Sequence, residues 1–288
     1  MDPIIRSLST QESKVVLALT ERGQREATRA EIVDLLGGTA KAADHVIESL
    51  RRKGWLQRAT WGEYLLIPAE QGPDALGDSN LLALASRVAD PYYIGFSTAA
   101  AHYGLTTQHR NVIYVVTPVR VRAREVGEAR VRIVNPSANK FFGFEPVDVL
   151  GYKVMISDRE KTAIDCVDRP ALAGGVGEAA TILATASRRF EWEKAADYLK
   201  RIGSGALVRR FGWLADHVNA DMPPEIRERL TGLTGGGTTR ARLGPPHYHT
   251  VPNAIGYDKT WRLFVNVPRE ELHGSAGLGR RKAVKKET

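Results

Sequence analysis

The chain has 288 residues, 43% of them hydrophobic, and a formal net charge of +8 from 41 Lys and Arg against 33 Asp and Glu. That size supports two or three folded cores, and the positive excess suits a polyanionic partner. A single cysteine, Cys166, excludes an internal disulfide and a cysteine-based zinc centre. Asp2, Arg6, Glu12 and Lys14 occupy the place of a signal peptide's apolar core, and no uncharged apolar run reaches membrane-spanning length. A cytoplasmic chain with no membrane partner is therefore expected.

In chain order, Ser9 with Glu12 forms a capping box that opens a first helix through Val15, Val16 and Leu19, and Gly23 ends it. Thr28 with Glu31 opens a second helix carrying Ile32, Leu35 and Leu36, and Gly37-Gly38 turns the chain. Thr39 caps a third helix that runs to Lys53 and ends at Gly54, with Ala43, Val46, Ile47 and Leu50 as its buried stripe. Residues 55–60 and 63–67 read as strands with Trp61-Gly62 at the hairpin tip.

Three helices followed by a hairpin is the order of a winged helix-turn-helix, here assigned to residues 1–68. In such a module the third helix enters the major groove, and residues near its N-terminus reach base edges. Those are Thr39, Lys41, Asp44 and His45. Arg51, Arg52, Lys53 and Arg58 stand where the helix end and wing meet phosphates, and phosphate contacts supply affinity while base contacts supply sequence choice. The acids of this segment almost balance its bases, and such modules also serve as protein contacts. A protein-interaction adaptor is the alternative.

Residues 69–78, rich in Gly, Pro and acids, read as a linker. Residues 79–272 read as a larger mixed α+β domain with a helical C-terminal part, and 273–288 as a disordered basic tail. Ser79 is expected to cap a helix broken at Asp90-Pro91, and Ser97 a short helix closed by Gly104. Strands are expected at 112–117 and 130–134, with a hairpin of 142–149 and 152–156 around Leu150-Gly151. Ser157 with Glu160 reads as the capping box of a helix to Val167. Helical spacing then recurs over 176–188, 191–201, 206–218 and 224–230. Residues 233–246 form a Gly-rich loop, and 260–267 a last strand expected to extend the middle sheet.

Asp158, Glu160, Lys161, Asp165 and Asp168 bring carboxylates near a lysine, the ingredients of a metal-dependent nuclease. Their spacing favours another reading. Asp158, Lys161 and Asp165 fall three and four apart on one helix face, as in a surface ion-pair ladder. Asp168-Arg169-Pro170 reads as the helix exit, with Arg169 free to pair with a neighbouring carboxylate. His247 and His249 lack the carboxylate or cysteine partners of a zinc site, and Gly235-Gly236-Gly237-Thr238-Thr239 lacks the Lys-Ser/Thr ending of a phosphate loop. His102 reads as a partly buried, satisfied histidine. No catalytic residue, metal or cofactor is expected.

Two segments carry a family resemblance. Residues 92–106, Tyr92-Tyr93-Ile94 through His102-Tyr103-Gly104-Leu105-Thr106, are similar to a stretch of AbiEi-type proteins. Residues 156–170 contain Glu160-Lys161-Thr162, then Asp165-Cys166 and Asp168-Arg169-Pro170, with Gly174-Gly175 following; this resembles a second stretch of the same family. Trp261-Arg262-Leu263-Phe264-Val265-Asn266 is similar to the family's last strand. The third helix departs from the pattern, with Ala40, Ala42, Ala43 and Asp44 where many relatives carry more Arg.

The resemblance implies an antitoxin of a type IV toxin–antitoxin system linked to abortive phage infection. It implies a winged helix that represses the operon from inverted repeats in promoter DNA, and a C-terminal domain that supplies antitoxicity. The functional counterpart is then a nucleotidyltransferase-like toxin, opposed without a stable direct complex. The antitoxin motif becomes Asp158, Glu160, Lys161, Thr162, Asp165, Asp168 and Arg169, and the chain is expected to be monomeric in solution and cooperative on DNA.

Overall fold

The computed structural model describes residues 7–60, 62–67, 78–108, 112–121, 124–126, 129–149, 152–235, 241–244 and 254–273. Trp61, the 69–77 part of the expected linker, Leu150-Gly151, Gly236 to Thr239, His247, His249 and the basic tail lie outside the described residues. The chain is an α+β protein.

Helix α1 (Thr10–Glu21) opens on a reciprocal cap: Ser9 Oγ accepts from the Glu12 amide, and the Glu12 carboxylate accepts from the Ser9 amide. Strand β1 (Glu26–Thr28) follows, and Thr28 with Glu31 repeats the box at α2 (Arg29–Leu36). Gly37, at φ 64°, closes α2 in the left-handed conformation that glycine adopts at least cost. Thr39 caps α3 (Ala40–Arg52), and β2 (Leu56–Thr60) pairs antiparallel with β3 (Glu63–Leu66). Strand β1 has no sequence signature, since three residues are too few to show an alternation. It pairs with β3 to give the order β1-β3-β2. Val15, Leu19, Ile32, Ile47 and Leu50 close one core beneath this sheet.

Helix α4 (Asp78–Ala85) leads into β4 (Tyr93–Ile94), α5 (Phe96–His102), β5 (Val112–Val116), β6 (Arg124–Val126), β7 (Ala129–Val134), β8 (Phe144–Val149) and β9 (Tyr152–Ser157). The strands form one mixed sheet, β6-β7-β5-β4-β9-β8, parallel at β5–β7 and β4–β9. Successive side chains of a strand face opposite sides, and here both sides are covered. Tyr114 and Val116 enter the core shared with the helices that follow, while Ile113 and Val115 enter a second core under α4. That two-sided burial explains the unbroken apolar run of β5.

The N-terminal unit joins this second core. Leu65 of β3 packs there with Leu82, Ile94 and Ile156, while its neighbours Tyr64 and Leu66 face their own core. Arg87 pairs with Glu26, and the Tyr152 hydroxyl donates to the Arg25 carbonyl.

Helices α6 (Arg159–Asp168), α7 (Pro170–Ala173), α8 (Val176–Ser187), α9 (Trp192–Ile202), α10 (Gly205–His217) and α11 (Pro224–Gly232) pack on the other face. Strands β10 (Ala241–Arg242), β11 (Ala254–Asp258) and β12 (Leu263–Pro268), with α12 (Arg269–His273), follow among the described residues. At Gly212 in α10 a Cβ would sit 2.1 Å from the ring of Trp261, so the helix and the indole touch only because this residue is glycine.

Five sequence expectations are corrected. Ser79 lies inside α4, which already includes Asp78 and ends at Ala85, so it is not the cap and Asp90-Pro91 is not what ends the helix. The expected loop 233–246 contains a strand, β10, paired with β12. The last strand does not extend the middle sheet: β10 and β11 occupy both edges of β12 in a sheet of their own. Ser157 belongs to β9, and Asp158 is the residue whose side chain caps α6 by accepting from the Lys161 amide. Ser97 does not cap α5, because the helix starts one residue earlier after Gly95. Phe96 begins that helix at φ 56°, and the buried Ser97 Oγ has no hydrogen-bond partner among the described residues. Among the described residues, no helix is long and apolar enough to cross a membrane.

Candidate functional site

The first candidate surface is the solvent face of α3. Ala43, Ile47 and Leu50 are buried and Val46 is half-buried, so the opposite side presents Thr39, Lys41, Asp44, His45, Glu48, Arg51 and Arg52. Several of these already have partners. The Asp44 carboxylate accepts two hydrogen bonds from the Arg29 guanidinium, at 2.7 and 2.8 Å, which hold its pKa below the usual range. This fork ties α2 to α3 and cancels the one acid in the first half of α3. Arg51 pairs with Glu48 one turn back.

Lys53 turns away from the outer face to the buried Glu12 at 2.7 Å. Burial pushes the Glu12 carboxyl up, but bonds from Lys53, Ser49 and Ser9 outweigh it and bring it down to about 2. Arg58 is half-buried on β2. Lys41 and Arg52 are exposed and make no ion pair among the described residues. Sequence spacing placed these side chains on the helix; it carried no sign that Arg29 pairs with Asp44 or Glu12 with Lys53, because the partners lie 15 and 41 residues apart.

The second candidate is α6, and here the expected surface ladder is overturned. The helix is packed against α5, α7, α8, α9 and α10, with Tyr93 of β4 and Ser157 of β9 touching it from the sheet. Lys161 is fully buried, and Asp158, Glu160, Thr162 and Asp165 are buried with it. Lys161 Nζ pairs with Asp165 Oδ1 and donates to the Tyr93 hydroxyl at 3.1 Å, and that hydroxyl donates to Asp165 Oδ2 at 3.0 Å. Burial pushes the Asp165 carboxyl above its ordinary value despite Lys161. Burial and the adjacent Asp165 push the Tyr93 phenol up as well. The rings of Tyr93 and Phe142 lie 5.2 and 5.4 Å from the ammonium and complete its enclosure.

Every carboxylate of the segment is engaged. Asp158 Oδ2 accepts from the Tyr198 hydroxyl at 2.7 Å and meets Lys194 at 3.2 Å, and Lys194 also reaches Glu160 at 3.0 Å. Glu160 Oε1 accepts the Glu191 amide at 3.0 Å, and Asp168 pairs with Lys140. Thr162 Oγ1 lies 2.7 Å from Ser157 Oγ, fastening α6 to β9. Arg169 is exposed at the helix exit and makes no ion pair among the described residues.

The two segments picked out by their motifs thus meet through Tyr93, Lys161 and Asp165. The His102-to-Thr106 stretch is anchored separately, with Thr106 Oγ1 bonded to Glu178 in the first turn of α8 and Gln108 reaching the same carboxylate at 2.9 Å. His102 is half-buried with its pKa lowered by burial.

The fold is shared with a solved structure. The RV2827C protein from Mycobacterium tuberculosis, known from a crystal structure, is similar over 91% of this chain and 93% of its own, with a TM-score of 0.62 and 17% sequence identity. At that identity the likeness is one of fold. No protein-family model and no curated protein matches the chain.

Chemically, α6 offers little to a substrate. A metal-dependent hydrolase needs carboxylate oxygens free to face a cation, whereas these are held by lysines, phenols and amides. Among the described residues no group of three or more His, Cys, Asp or Glu side chains is placed to hold a metal ion. Cys166 is buried on the same helix, and burial pushes its thiol well up, away from nucleophilic character. Tyr93 lies within the first resembling segment, whereas its fellow partners Lys194, Tyr198 and Lys140 lie outside both segments and left no signal in the sequence.

Proposed function

We propose that the chain is a DNA-binding antitoxin and transcriptional autorepressor of the AbiEi type. In this reading the N-terminal unit is a winged helix on inverted repeats of its own promoter, and the larger unit opposes a nucleotidyltransferase-like toxin without a stable complex. The observation that carries it is the outer face of α3. Its first half presents Thr39, Lys41 and His45 to solvent, its acid is neutralised by Arg29, and Arg52 stands uncompensated at its far end. A helix entering a groove between phosphates needs a face without free negative charge. The meeting of both resembling segments at Tyr93, Lys161 and Asp165 supports the family reading, and makes α6 an internal brace for whatever antitoxic surface the larger unit presents.

A gel-shift titration of the chain's own upstream DNA against a random duplex tests this reading. Specific binding should fall steeply with salt as counterions are released. Lys41→Ala or His45→Ala should cut discrimination between the duplexes by about 1–3 kcal/mol for a base contact, while Arg52→Ala should weaken both alike. Equal binding to both duplexes, or insensitivity to salt, would defeat the proposal. Cleavage of DNA or RNA with magnesium or manganese, lost in Asp165→Asn, would favour a nuclease instead.

A further inference from the structure

Arg29 is the first residue of α2, yet its guanidinium reaches the outer face of α3. Nε and Nη2 donate to the two oxygens of Asp44, at 2.7 and 2.8 Å, which leaves Nη1 without a hydrogen bond among the described residues. The two side chains are 44% and 53% exposed, and an exposed pair adds little to folding. What the fork does fix is the plane and position of the guanidinium, because two parallel bonds hold it where one would let it swing. Asp44 is poorly placed to read a base. A carboxylate reads cytosine by accepting from its N4 amino group, and both Asp44 oxygens are already taken.

The expected phosphate contacts are also short of cations. Lys53 is spent on Glu12, and Arg51 pairs with Glu48. When a helix-turn-helix docks, the helix before the recognition helix crosses the sugar-phosphate backbone. Arg29 begins that helix. On the basis of the DNA-binding reading above, we propose that Arg29 binds a backbone phosphate through Nη1, and that Asp44 is its positioning residue and reads no base. The fork orders the guanidinium before DNA arrives, so less side-chain freedom is lost on contact.

A salt titration of binding tests this, using the full chain, its own upstream DNA, single base-pair variants of that DNA and a random duplex. Arg29→Ala should weaken all the duplexes alike, about ten-fold, and lower the slope of log affinity against log salt by about one. Asp44→Ala should weaken all of them about three-fold and keep the native preference at every base pair. In the Arg29→Ala background the same Asp44→Ala change should tighten binding, because it then removes an unpaired acid facing phosphates. That reversal of sign separates positioning from a general loss of structure. An unchanged salt slope in Arg29→Ala overturns the proposal, as does relaxed preference at one base pair in either single variant, which would make that residue a base reader. Equal weakening by Asp44→Ala in both backgrounds overturns it too. A native chain with no preference for its upstream DNA defeats the DNA-binding reading itself, and the proposal falls with it.

Discussion

Replacing Lys161 with methionine keeps most of the side chain's volume and removes only its charge. The ammonium is fully buried against Asp165 and Tyr93. Without it, Asp165 Oδ2 keeps the Tyr93 hydroxyl and Oδ1 loses its cation, leaving a nearly inaccessible carboxylate uncompensated. Breaking a buried pair from one side costs about 3–5 kcal/mol. Urea unfolding followed by far-UV circular dichroism should show that loss at neutral pH.

The loss should shrink in acid. Burial already raises the Asp165 pKa above 3.8, so the folded state keeps a proton that the unfolded state has released. Stability from this group is full below the unfolded value and declines as pH rises through the folded one. Methionine at 161 raises the folded value further, so the variant should regain stability as pH is lowered toward 3.8. Lys161→Met with Asp165→Leu should recover most of the loss, because replacing both members of a buried pair is often close to neutral. A cost below about 1 kcal/mol, the worth of an exposed pair, would refute the burial argument, as would a double variant no better than the single.

Glu12 should behave oppositely: its pKa is lowered from 4.5 to about 2, so its contribution is present above 4.5 and lost as pH falls toward 2, and Glu12→Gln should flatten the unfolding profile over that window. Gly212→Ala forces a methyl into the Trp261 ring; it should cost at least about 1–3 kcal/mol in thermal melts and red-shift tryptophan emission, and an unchanged spectrum would mean that the indole is not held there. A fragment beginning at Asp78 should fold but melt about 3–12 °C lower than the full chain, since it loses the Leu65 cover over the second core; equal melting would show the two units to be energetically independent.

The local grammar of the fold was legible in the residues. Both N-terminal capping boxes, the stripe of α3 and the β8–β9 pairing follow from spacings of a few positions, and each stands where the sequence puts it. Strands β1 and β4 were not, because two or three residues carry no period and exist only through their neighbours. The same limit governed α6. Spacings of three and four placed Asp158, Lys161 and Asp165 on one face correctly. Whether that face meets water or a sheet depends on β4 and α9, some 68 residues before Lys161 in one case and 40 after Asp158 in the other. Charge argued for the surface, and Tyr93, Tyr198 and Lys194 overrode it.

The Tyr93 hydroxyl has a consequence for how the chain varies between relatives. It comes from a two-residue strand, yet it bonds both members of a buried ion pair 68 and 72 residues further on. A chimaera that took the sheet from one relative and α6 from another would inherit half of this arrangement unless the donors agreed at all three positions. Tyr93, Lys161 and Asp165 therefore form a single heritable unit scattered over the sequence. A crossover between Ile94 and Ser157 that joined parents differing at any of the three positions would leave a buried charge or phenol without its partner.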